Sequence, residues 1–428
     1  MGCMVSIYRI VLAFGSLHVR NDEAFGGCNK VSRLLFQNIK IGNIHSGIAD
    51  FVFFAHFTYF CLQELHVVKM KYFFLMIMAA YLGGNIYLFI RTLQQISSLP
   101  LVWKILFGII FWVVAISMFL SIGMRNVEIP PTLSRLMFQA GSAWMVFILY
   151  MVLGLILSDI IHIALPKFNG YLWVLGLTIC LMIYGYYNYR HPQIVELDIK
   201  VDKLMEQPLR IVAISDVHLG HGTDKKALKR YVEMINSQQP DMILIGGDLI
   251  DNSTLPLYEQ NMHEELNQLR APMGVYMVAG NHEFISGIKS THEFLDKTQI
   301  TLLRDSILAL PCGVQIIGRD DRSNHRRESL DSLIAQCDKR KPIILLDHQP
   351  YELAKSDSLG VDLQFSGHTH HGQVFPLSLL TDYIYEQSHG YRHWSHAHIY
   401  VSSGLSLWGP PFRIGTKSDM AVIRLEGE

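Results

Sequence analysis

The chain has 428 residues, half of them apolar by count, and its 36 Lys and Arg nearly balance its 37 Asp and Glu. A chain of this length accommodates two or three domains. Its near-neutral charge gives no sign of the basic surface that binds a nucleic-acid backbone, so no nucleic-acid partner is expected. The six cysteines are scattered along the chain, which is more typical of a reducing compartment than of a disulfide framework.

The first 69 residues have the weakest pattern. They mix Gly, Asn, His and Phe without a clear period, and the apolar run of residues 51–62 is shorter than the roughly 20 residues that span a bilayer. Met70 and Lys71, followed directly by an apolar run, resemble a chain start. We therefore interpret residues 1–69 as an upstream extension of uncertain role.

The next segment, residues 70–190, carries very few charges and predicts a membrane domain of four helices. The predicted spans are residues 72–90, 105–124, 137–160 and 171–187. A set of long buried helices in a soluble protein is the alternative interpretation. Four such runs in succession, with almost no internal charge, favour the membrane.

The flanking charges predict the orientation of these spans. An even number of spans places both ends of the chain on one side, and more basic residues flank that side than the other. The basic residues on that side are Lys69, Lys71, Arg125, Arg135, Arg190, Lys200 and Lys203, and those on the other are Arg91, Lys104 and Lys167. The positive-inside rule therefore predicts a multi-pass protein of the cell membrane with its C-terminal domain in the cytoplasm.

The C-terminal half has ordinary globular composition and contains five polar blocks, several of which directly follow apolar runs. The blocks are Asp216-Val217-His218, Gly247-Asp248, Gly280-Asn281-His282-Glu283, Asp347-His348 and Gly367-His368-Thr369-His370. A strand pattern at 211–214, a helical spacing after it and a second strand pattern at 242–245 indicate a βαβ unit. Ligands that follow such strands meet in one crevice at their carboxyl ends. Carboxylates, an amide and imidazoles gathered there are the ligand inventory of two adjacent divalent metals.

The five blocks resemble the pattern D-x-H, G-D, G-N-H-[DE], H, G-H-x-H of the calcineurin-like metallophosphoesterase superfamily. One block alone is a weak match, but five in order between Asp216 and His370 are specific. The resemblance covers roughly residues 205–428, and residues 400–404 with 409–413 resemble the membrane-associated bacterial branch. It implies an α/β fold of two packed mixed β-sheets flanked by helices, here in residues 191–428 after the four-span domain.

The resemblance also implies roles for individual residues. Asp248 is expected to bridge two divalent metals, and a mixed N/O ligand set without thiolate suits Mn²⁺, with Fe or Zn²⁺ as alternatives. One metal is expected on Asp216, His218, Asp248 and His370, and the other on Asp248, Asn281, His348 and His368. His282 is expected beside the substrate, as general acid toward the leaving oxygen or as charge stabiliser.

Other polar residues receive weaker interpretations. Arg413, and less so Arg319 and Arg322, are candidates for holding substrate phosphate, because Arg presents a planar fork to phosphate oxygens. Glu283 is expected to orient its neighbours, and His371 to lie behind the ligands or face solvent. A second histidine cluster predicts a polar surface loop, with a third metal site as the alternative: His389, His393, His396 and His398.

The sequence therefore predicts a membrane-anchored, two-metal hydrolase of phosphoester or phosphoanhydride bonds. Tethering to the bilayer favours a lipid-bearing phosphodiester or pyrophosphate substrate, so this substrate and membrane lipids are the expected partners. A scaffold of the same fold is one alternative, but it predicts missing ligands and none is missing. A membrane sensor with an accessory esterase is another, which predicts polar residues in the spans, such as Asn85 and Asp159. The pattern does not set the oligomeric state.

Overall fold

The computed structural model describes residues 72, 75–124 and 130–427 of the chain. Its internal contacts divide the chain into one unit that ends at Ala80 and another that begins at Tyr81. The sheets and the whole candidate site belong to the second unit. The predicted extension, residues 1–69, lies outside the described residues.

Four long apolar helices come first among the described residues. They are α1 (Leu75–Gln95), α2 (Leu101–Gly123), α3 (Pro131–Ala164) and α4 (Tyr171–Arg190). Each is long and apolar enough to cross a bilayer, so the described residues contain the four long apolar helices that the sequence predicted. α3 is longer than the predicted span of residues 137–160. Its 34 residues extend about 50 Å at the helical rise, well beyond a hydrocarbon layer of about 30 Å.

Polar side chains within these helices are paired with one another. Trp144 donates a hydrogen bond to the Asn85 side chain at 2.8 Å. Asp159 accepts a hydrogen bond from Tyr87 at 2.6 Å and forms an ion pair with Arg91 at 2.8 Å. Pairing of this kind satisfies polar groups away from water and holds helices together. Helix packing therefore explains the two polar residues that had suggested a sensor.

The C-terminal domain contains two six-stranded mixed sheets among its described residues. The first sheet has the order β1-β12-β2-β3-β4-β5 and the second the order β10-β11-β9-β8-β7-β6. The strands are β1 (Gln193–Val201), β2 (Leu209–Ile214), β3 (Met242–Ile245), β4 (Val275–Val278), β5 (Ile300–Leu303), β6 (Ser306–Ala309), β7 (Gln315–Gly318), β8 (Ile343–Leu346), β9 (Leu363–Ser366), β10 (Gly390–His393), β11 (His398–Val401) and β12 (Asp419–Gly427). The run β2-β3-β4-β5 is parallel, as is the run β7-β8-β9-β11.

Helices connect and cover these strands. They are α5 (Lys225–Ser237), α6 (Leu255–Glu259), α7 (Met262–Leu266), α8 (Asn281–Ile285), α9 (Ile288–Leu295), α10 (Leu330–Ile334), α11 (Leu353–Leu359) and α12 (Leu377–Ile384). A short 3-10 helix, His370–Gly372, precedes α12. The predicted α/β class with two mixed sheets flanked by helices is confirmed. The boundary predicted at 190/191 falls where α4 ends and β1 is about to begin.

Alternating apolar side chains build the core on both faces of each sheet. In β2, Ile211 packs into the core between the sheets, whereas Val212 packs against α5 and its neighbours on the outer face. In β8, Ile344 faces the inner core and Ile343 packs with α10 on the outer face. Successive residues of a strand point to opposite faces, so continuous apolar runs fill both layers. The polar residues that follow each run therefore stand at the sheet edge.

A small apolar cluster joins the C-terminal domain to the membrane helices. Val146 of α3 packs with Val374, Phe412 and Ile414, and residues of α4 border this cluster. The backbone N–H of Arg413 donates to the carbonyl of Gly185 in α4 at 2.9 Å. The C-terminal domain is therefore held to α3 and α4 by noncovalent contacts as well as by the covalent chain.

Candidate metal centre and active site

All seven predicted metal ligands lie just beyond the carboxyl ends of strands. Asp216 and His218 follow β2, Asp248 follows β3, Asn281 follows β4, His348 follows β8, and His368 and His370 follow β9. Because these are neighbouring, mainly parallel strands of the two packed sheets, their carboxyl ends open into one crevice. The first sheet contributes four of these residues and the second contributes three.

Tight turns bring these side chains inward. Five of the seven have positive φ angles, in a region that non-glycine residues rarely adopt: Asp216 (55°), His218 (48°), Asp248 (51°), His368 (73°) and His370 (48°). Such conformations carry a backbone cost and are concentrated at functional sites. Hydrogen bonds hold them here, including those from the N–H groups of Asp216 and His218 to the carbonyls of Gly247 and Asp248, both at 3.0 Å.

The first group of ligands surrounds Asp216. His370 Nε2 lies 3.4 Å from Asp216 Oδ1, and His218 Nε2 lies 3.8 Å from the same oxygen. The two Nε2 atoms are 3.1 Å apart. His218 Nε2 is also 3.8 Å from Asp248 Oδ2, which brings a second carboxylate to this group.

The second group surrounds Asp248. His348 Nε2 lies 3.2 Å from Asp248 Oδ2, and Asp248, His348 and His368 each offer a ligand atom within 4.8 Å of the others. The Asn281 side-chain oxygen is 2.9 Å from His368 Nδ1, which places the amide at the same point. Asp248 belongs to both groups, and this position matches the predicted bridge between two ions.

The hydrogen bonds of His348 indicate that a cation fits this site. Its Nδ1–H donates to the carbonyl of Gly246 at 2.7 Å, which leaves Nε2 to face the Asp248 carboxylate at 3.2 Å. Burial disfavours the charged form of His348, but Asp248 raises its pKa well above its ordinary value. The space between Nε2 and the carboxylate therefore attracts positive charge, which a proton supplies in the absence of a metal ion and a metal ion can replace. Fixing the far ring nitrogen on a carbonyl is also the usual way to orient a metal-binding histidine.

The charges of the site point the same way. Burial by itself raises the pKa of Asp216, but His370 and His218 outweigh it and hold that pKa well below its usual range. Burial disfavours the charged form of His218, yet its contacts with Asp216 and Asp251 raise its pKa to about 10. Burial lowers the pKa of His368 to about 4. The carboxylates are therefore ionised, their field favours a cation, and His368 is in the neutral form that binds metals.

Two glycines are required by the close approach of ligands. A Cβ at Gly280 would lie 2.8 Å from His348 Nε2 and 2.7 Å from the Asp248 backbone nitrogen. Gly247 has a φ of 96°, and a Cβ there would lie 2.6 Å from His348 Nδ1. A side chain at either position would displace His348, so these glycines are part of the metal centre.

Comparison with known proteins agrees with this geometry. Residues 209–372 match the family model described as calcineurin-like phosphoesterase. An uncharacterized metallophosphoesterase of Helicobacter pylori is 36% identical over 277 residues, which cover 62% of this chain and 74% of that protein. The chain belongs to the calcineurin-like metallophosphoesterase family.

Other relatives extend the comparison. A Danio rerio protein named "Transmembrane protein with metallophosphoesterase domain" is 31% identical over 62% of this chain and 64% of its own length. A 5'-nucleotidase precursor from Thermus thermophilus aligns with a TM-score of 0.33 at 14% identity, covering 51% of this chain and 55% of that chain. Family membership confirms the prediction of a metal-dependent phosphoester hydrolase. The four apolar helices and the transmembrane relative indicate a membrane protein. The identity of the metals stays a prediction.

The metallophosphoesterase site contains one important residue that the sequence did not reveal, Asp251. Its Oδ1 lies 3.3 Å from His282 Nδ1 and 3.7 Å from His218 Nδ1. The Asp251 carbonyl also accepts a hydrogen bond from His282 Nδ1–H at 3.1 Å. Asp251 thus orients the His282 ring through its carbonyl and places its carboxylate beside the His218 ring. Its only sequence signal was its position three residues after the G-D block.

His282 stands against the metal ligands, as predicted for a residue beside the substrate. Its ring packs edge-on to that of His218 at 4.6 Å, and its backbone N–H donates to Asp248 Oδ1 at 2.8 Å. Burial lowers the pKa of His282, but the hydrogen bond with Asp251 and the charge of Asp248 raise it above its ordinary value. Because Asp251 occupies Nδ1, Nε2 is the ring nitrogen available to a reacting group.

Glu283 orients its neighbours, as predicted. Its carboxylate accepts hydrogen bonds from the backbone N–H groups of Asp248, Ile250 and Gly280 at 2.7–2.9 Å. Burial and the charge of Asp248 raise its pKa to about 7, although these donors act in the opposite direction. Glu283 therefore ties the turn after β3 to the turn after β4.

The structure contradicts the prediction that Arg413 holds substrate phosphate. Its side chain is fully buried, and its donors bond to the carbonyls of His370, Ser403, Gly404 and Ser406 and to the Ser418 hydroxyl. With its donors engaged in this way, it is not available to a substrate. Arg413 instead supports the backbone of His370 from behind.

The two weaker arginine candidates have protein partners as well. Arg319 is buried and bonds to Asp347 at 3.1 Å and to Glu352 at 3.0 Å. Arg322 is exposed and lies over the ring of Tyr351 at 4.5 Å. Neither residue touches the metal ligands through the contacts that the structure describes.

The four histidines of the second cluster do not form one group, and His396 lies apart with its Nε2 3.3 Å from Asp362 Oδ1. His393 stacks on His398 at 4.2 Å, whereas His389 stacks on His371 at 3.4 Å. His371, Asp382 and His389 each place one ligand atom within 4.8 Å of the others, and Asp382 and His389 are exposed. His371 therefore contacts this outer group and not solvent alone.

Proposed function

We propose that this metallophosphoesterase is a membrane-anchored, two-metal hydrolase of a phosphodiester or pyrophosphate bond in a lipid-linked substrate at the cytoplasmic membrane face. One observation carries the lipid part of the proposal. Residues 404–414, which we call the coupling segment, bond to the metal-ligand turns on one side and to membrane helix α4 on the other. This segment therefore links the reacting centre to a helix that is long and apolar enough to cross a bilayer.

Each side of the coupling segment makes several contacts. Toward the site, the Ser406 N–H donates to the Asp216 carbonyl at 3.1 Å, and Arg413 donates to the His370 carbonyl. Toward the membrane, Asn188 donates to the Arg413 carbonyl at 3.2 Å, and the Tyr189 and Ser406 hydroxyls are 3.3 Å apart. These contacts support a substrate that is presented from the bilayer.

The ligand assignment follows the two groups described above. We propose one ion on Asp216, His218, Asp248 and His370, and a second on Asp248, Asn281, His348 and His368, with Mn²⁺ as the preferred metal and Fe or Zn²⁺ as alternatives. When bound, two such ions lower the pKa of a coordinated water and neutralise phosphoryl oxygens. The protein holds the ligands in register through Glu283 and the coupling segment.

His282 is the proposed general acid. When the His282 ring is charged, its Nε2–H donates a proton to the departing oxygen. The ring then becomes neutral and is reprotonated from solvent. Asp251 keeps Nδ1 protonated and fixes the plane of the ring. An alcohol leaving group needs such a donor because it would otherwise depart as a strongly basic alkoxide, whereas a phosphate leaving group is already stable as an anion.

The cytoplasmic location rests on charge. Arg135 and Arg190 lie at the ends of α3 and α4 on the side of the catalytic domain, whereas Lys104 and Lys167 lie at the opposite ends of the spans. Together with the other flanking residues this distribution favours the cytoplasm for the catalytic side.

The test uses the full chain purified in detergent and reconstituted in vesicles. Metal content, hydrolysis of a chromogenic phosphodiester and hydrolysis of a phospholipid or lipid-pyrophosphate substrate are measured for the parent, Asp248→Ala and Asp296→Ala. Asp296 is exposed and remote in sequence from every ligand, so it is the matched control.

Two metals per chain, with lipid hydrolysis lost only in Asp248→Ala, would support the proposal. Bound metal with hydrolysis of soluble diesters alone would contradict the lipid substrate. A chain that binds no metal under any condition would favour the scaffold alternative.

A further inference from the structure

Helix α12 exposes an unusually apolar surface. Five of its eight residues are large, apolar and exposed, and Phe375 just before it is 51% exposed. The five residues are Leu377, Leu379, Leu380, Tyr383 and Ile384, with Tyr383 at 89% exposure. Helices of soluble domains direct such a face toward the core. This face has no partner among the described residues.

The segment entering α12 is attached to the membrane helices. Tyr150 of α3 donates a hydrogen bond to the Phe375 carbonyl at 2.6 Å. Val374 packs in the cluster with Val146, Phe412 and Ile414. Arg413, next to two of these residues, bonds to Gly185, five residues before the end of α4. That distance is about 8 Å along a helix, so the segment attaches near the end of this candidate membrane span.

Both ends of α12 are also close to the metal ligands. The short helix His370–Gly372 precedes it, and a Cβ at Gly372 would collide with the backbone of Leu377. Tyr385 follows it, and its ring lies 6.2 Å from the ring of His368 and 5.1 Å from that of Tyr351. Along the chain, α12 therefore lies between the attachment to α3 and residues beside the metal ligands.

We propose that α12 lies in the lipid–water interface of the bilayer that holds α3 and α4, and that a lipid-bearing phosphoester reaches the metal centre along it. The occupant of the apolar face is the acyl layer, because the attachment of α12 to α3 continues the membrane surface. Tyr383 and Phe375 are aromatic residues of the kind that favour this interface. α12 carries one acidic and no basic residue, so apolar contact and not charge would hold it. The substrate route rests on the proposed function, whereas the position of α12 does not.

The position is tested without measuring activity. A benzophenone photo-crosslinking amino acid replaces Tyr383 or, as control, Leu204 in the full chain reconstituted in phosphatidylcholine and phosphatidylglycerol vesicles. Leu204 is nearly as exposed, at 83%, but lies beyond the far end of β1, which starts near α4 and spans about 30 Å. Lipid adducts at 383 and none at 204 are expected. Protein–protein adducts at 383 would overturn the proposal in favour of an interface between two copies, and the absence of lipid adducts would also overturn it.

The route is tested by substrate preference. Leu379→Asp, Tyr383→Asp and Leu204→Asp are compared by the ratio of kcat/KM on vesicle-borne lipid phosphodiester to kcat/KM on a chromogenic soluble diester. Burying one large apolar side chain corresponds to roughly a tenfold change or more, so the ratio is expected to fall about tenfold in the first two variants only. Leu379→Met is expected to retain the parent ratio. An unchanged ratio, or an equal fall for both substrates, would overturn the route.

The two proposals fail separately. If lipid adducts form at position 383 but no lipid substrate is hydrolysed, the interfacial position stands and the lipid-substrate function fails. If lipid hydrolysis is found but its ratio is insensitive to α12, the function stands and the route fails.

Discussion

Replacing Arg413 distinguishes a buried support from a substrate-binding residue. Arg413→Ala removes a guanidinium that bonds to four backbone carbonyls in a fully buried position and leaves those acceptors without it. Each buried polar group left unpaired costs about 1–3 kcal/mol, and removing one member of a buried charged network costs about 3–5 kcal/mol in total. We use the total of about 3–5 kcal/mol and do not add a penalty for each of the four carbonyls, because some of them can bond to water or shift toward other donors.

For a domain of this size, 3–5 kcal/mol corresponds to a fall in melting temperature on the order of 10 °C. The measurement is thermal unfolding of the full chain in detergent, together with metal content. Arg413→Lys is expected to lower the melting temperature almost as much, because an ammonium cannot reach four carbonyls arranged around a planar fork. Arg322→Ala is the control, since it loses only an exposed contact with a ring, worth about 0.5–1 kcal/mol.

A melting temperature unchanged in Arg413→Ala, combined with a raised KM, would refute this reasoning and restore the phosphate-binding role. Loss of stability together with weaker metal binding would agree with support of His370.

The remaining predictions concern the metal centre. Asp248→Ala should lower bound metal to less than one ion per chain by elemental analysis and abolish turnover, because both ligand groups lose a carboxylate; retention of both ions would contradict the bridging position. His282→Ala should keep the metals and lose about 10²–10⁴-fold in kcat, and an empty site would show that the residue is a ligand. Asp251→Asn should keep the metals within tenfold in affinity but reduce kcat about 10–100-fold, because it removes the negative charge 3.3 Å from His282 Nδ1 that raises the pKa of His282; equal activity of parent and variant would exclude this role. Gly280→Ala should weaken metal binding without a new charge, since its Cβ would lie 2.8 Å from His348 Nε2; normal metal content in that variant would show that the turn can adjust.

The metal ligands could be predicted from the sequence because they sit in short blocks next to strands. Asp216 and His218 are two apart and follow an apolar run, so their position in a crevice follows from strand geometry. The pairing of residues from distant blocks, such as His218 with His370, came from the family resemblance. Composition alone could not predict this pairing, because His218 and His370 are 152 positions apart in the sequence.

Residues that act through backbone groups were harder to predict. Arg413 looks from the sequence like any arginine after a Gly-Pro-Pro turn, and its burial depends on the packing of residues 403–418 around it. Asp251 belongs to no block, because it acts beside two rings whose positions are set by other turns. Likewise, the apolar residues of α12 have the pattern of an ordinary short helix, and only their exposure beside α3 distinguishes them.

The coupling segment also affects how a truncation should be interpreted. Removing residues 1–190 would take away Gly185, Asn188 and Tyr189, which hold this segment by backbone and hydroxyl contacts. Because the same segment bonds to the backbones of Asp216 and His370, the loss would reach the metal ligands themselves. A truncated catalytic half that fails on lipid substrates would therefore not demonstrate a need for the membrane if it also loses metal. Only a truncated chain that keeps its metal and its activity on a soluble diester allows that conclusion, whereas substitutions on α12 leave the segment intact and separate the two effects.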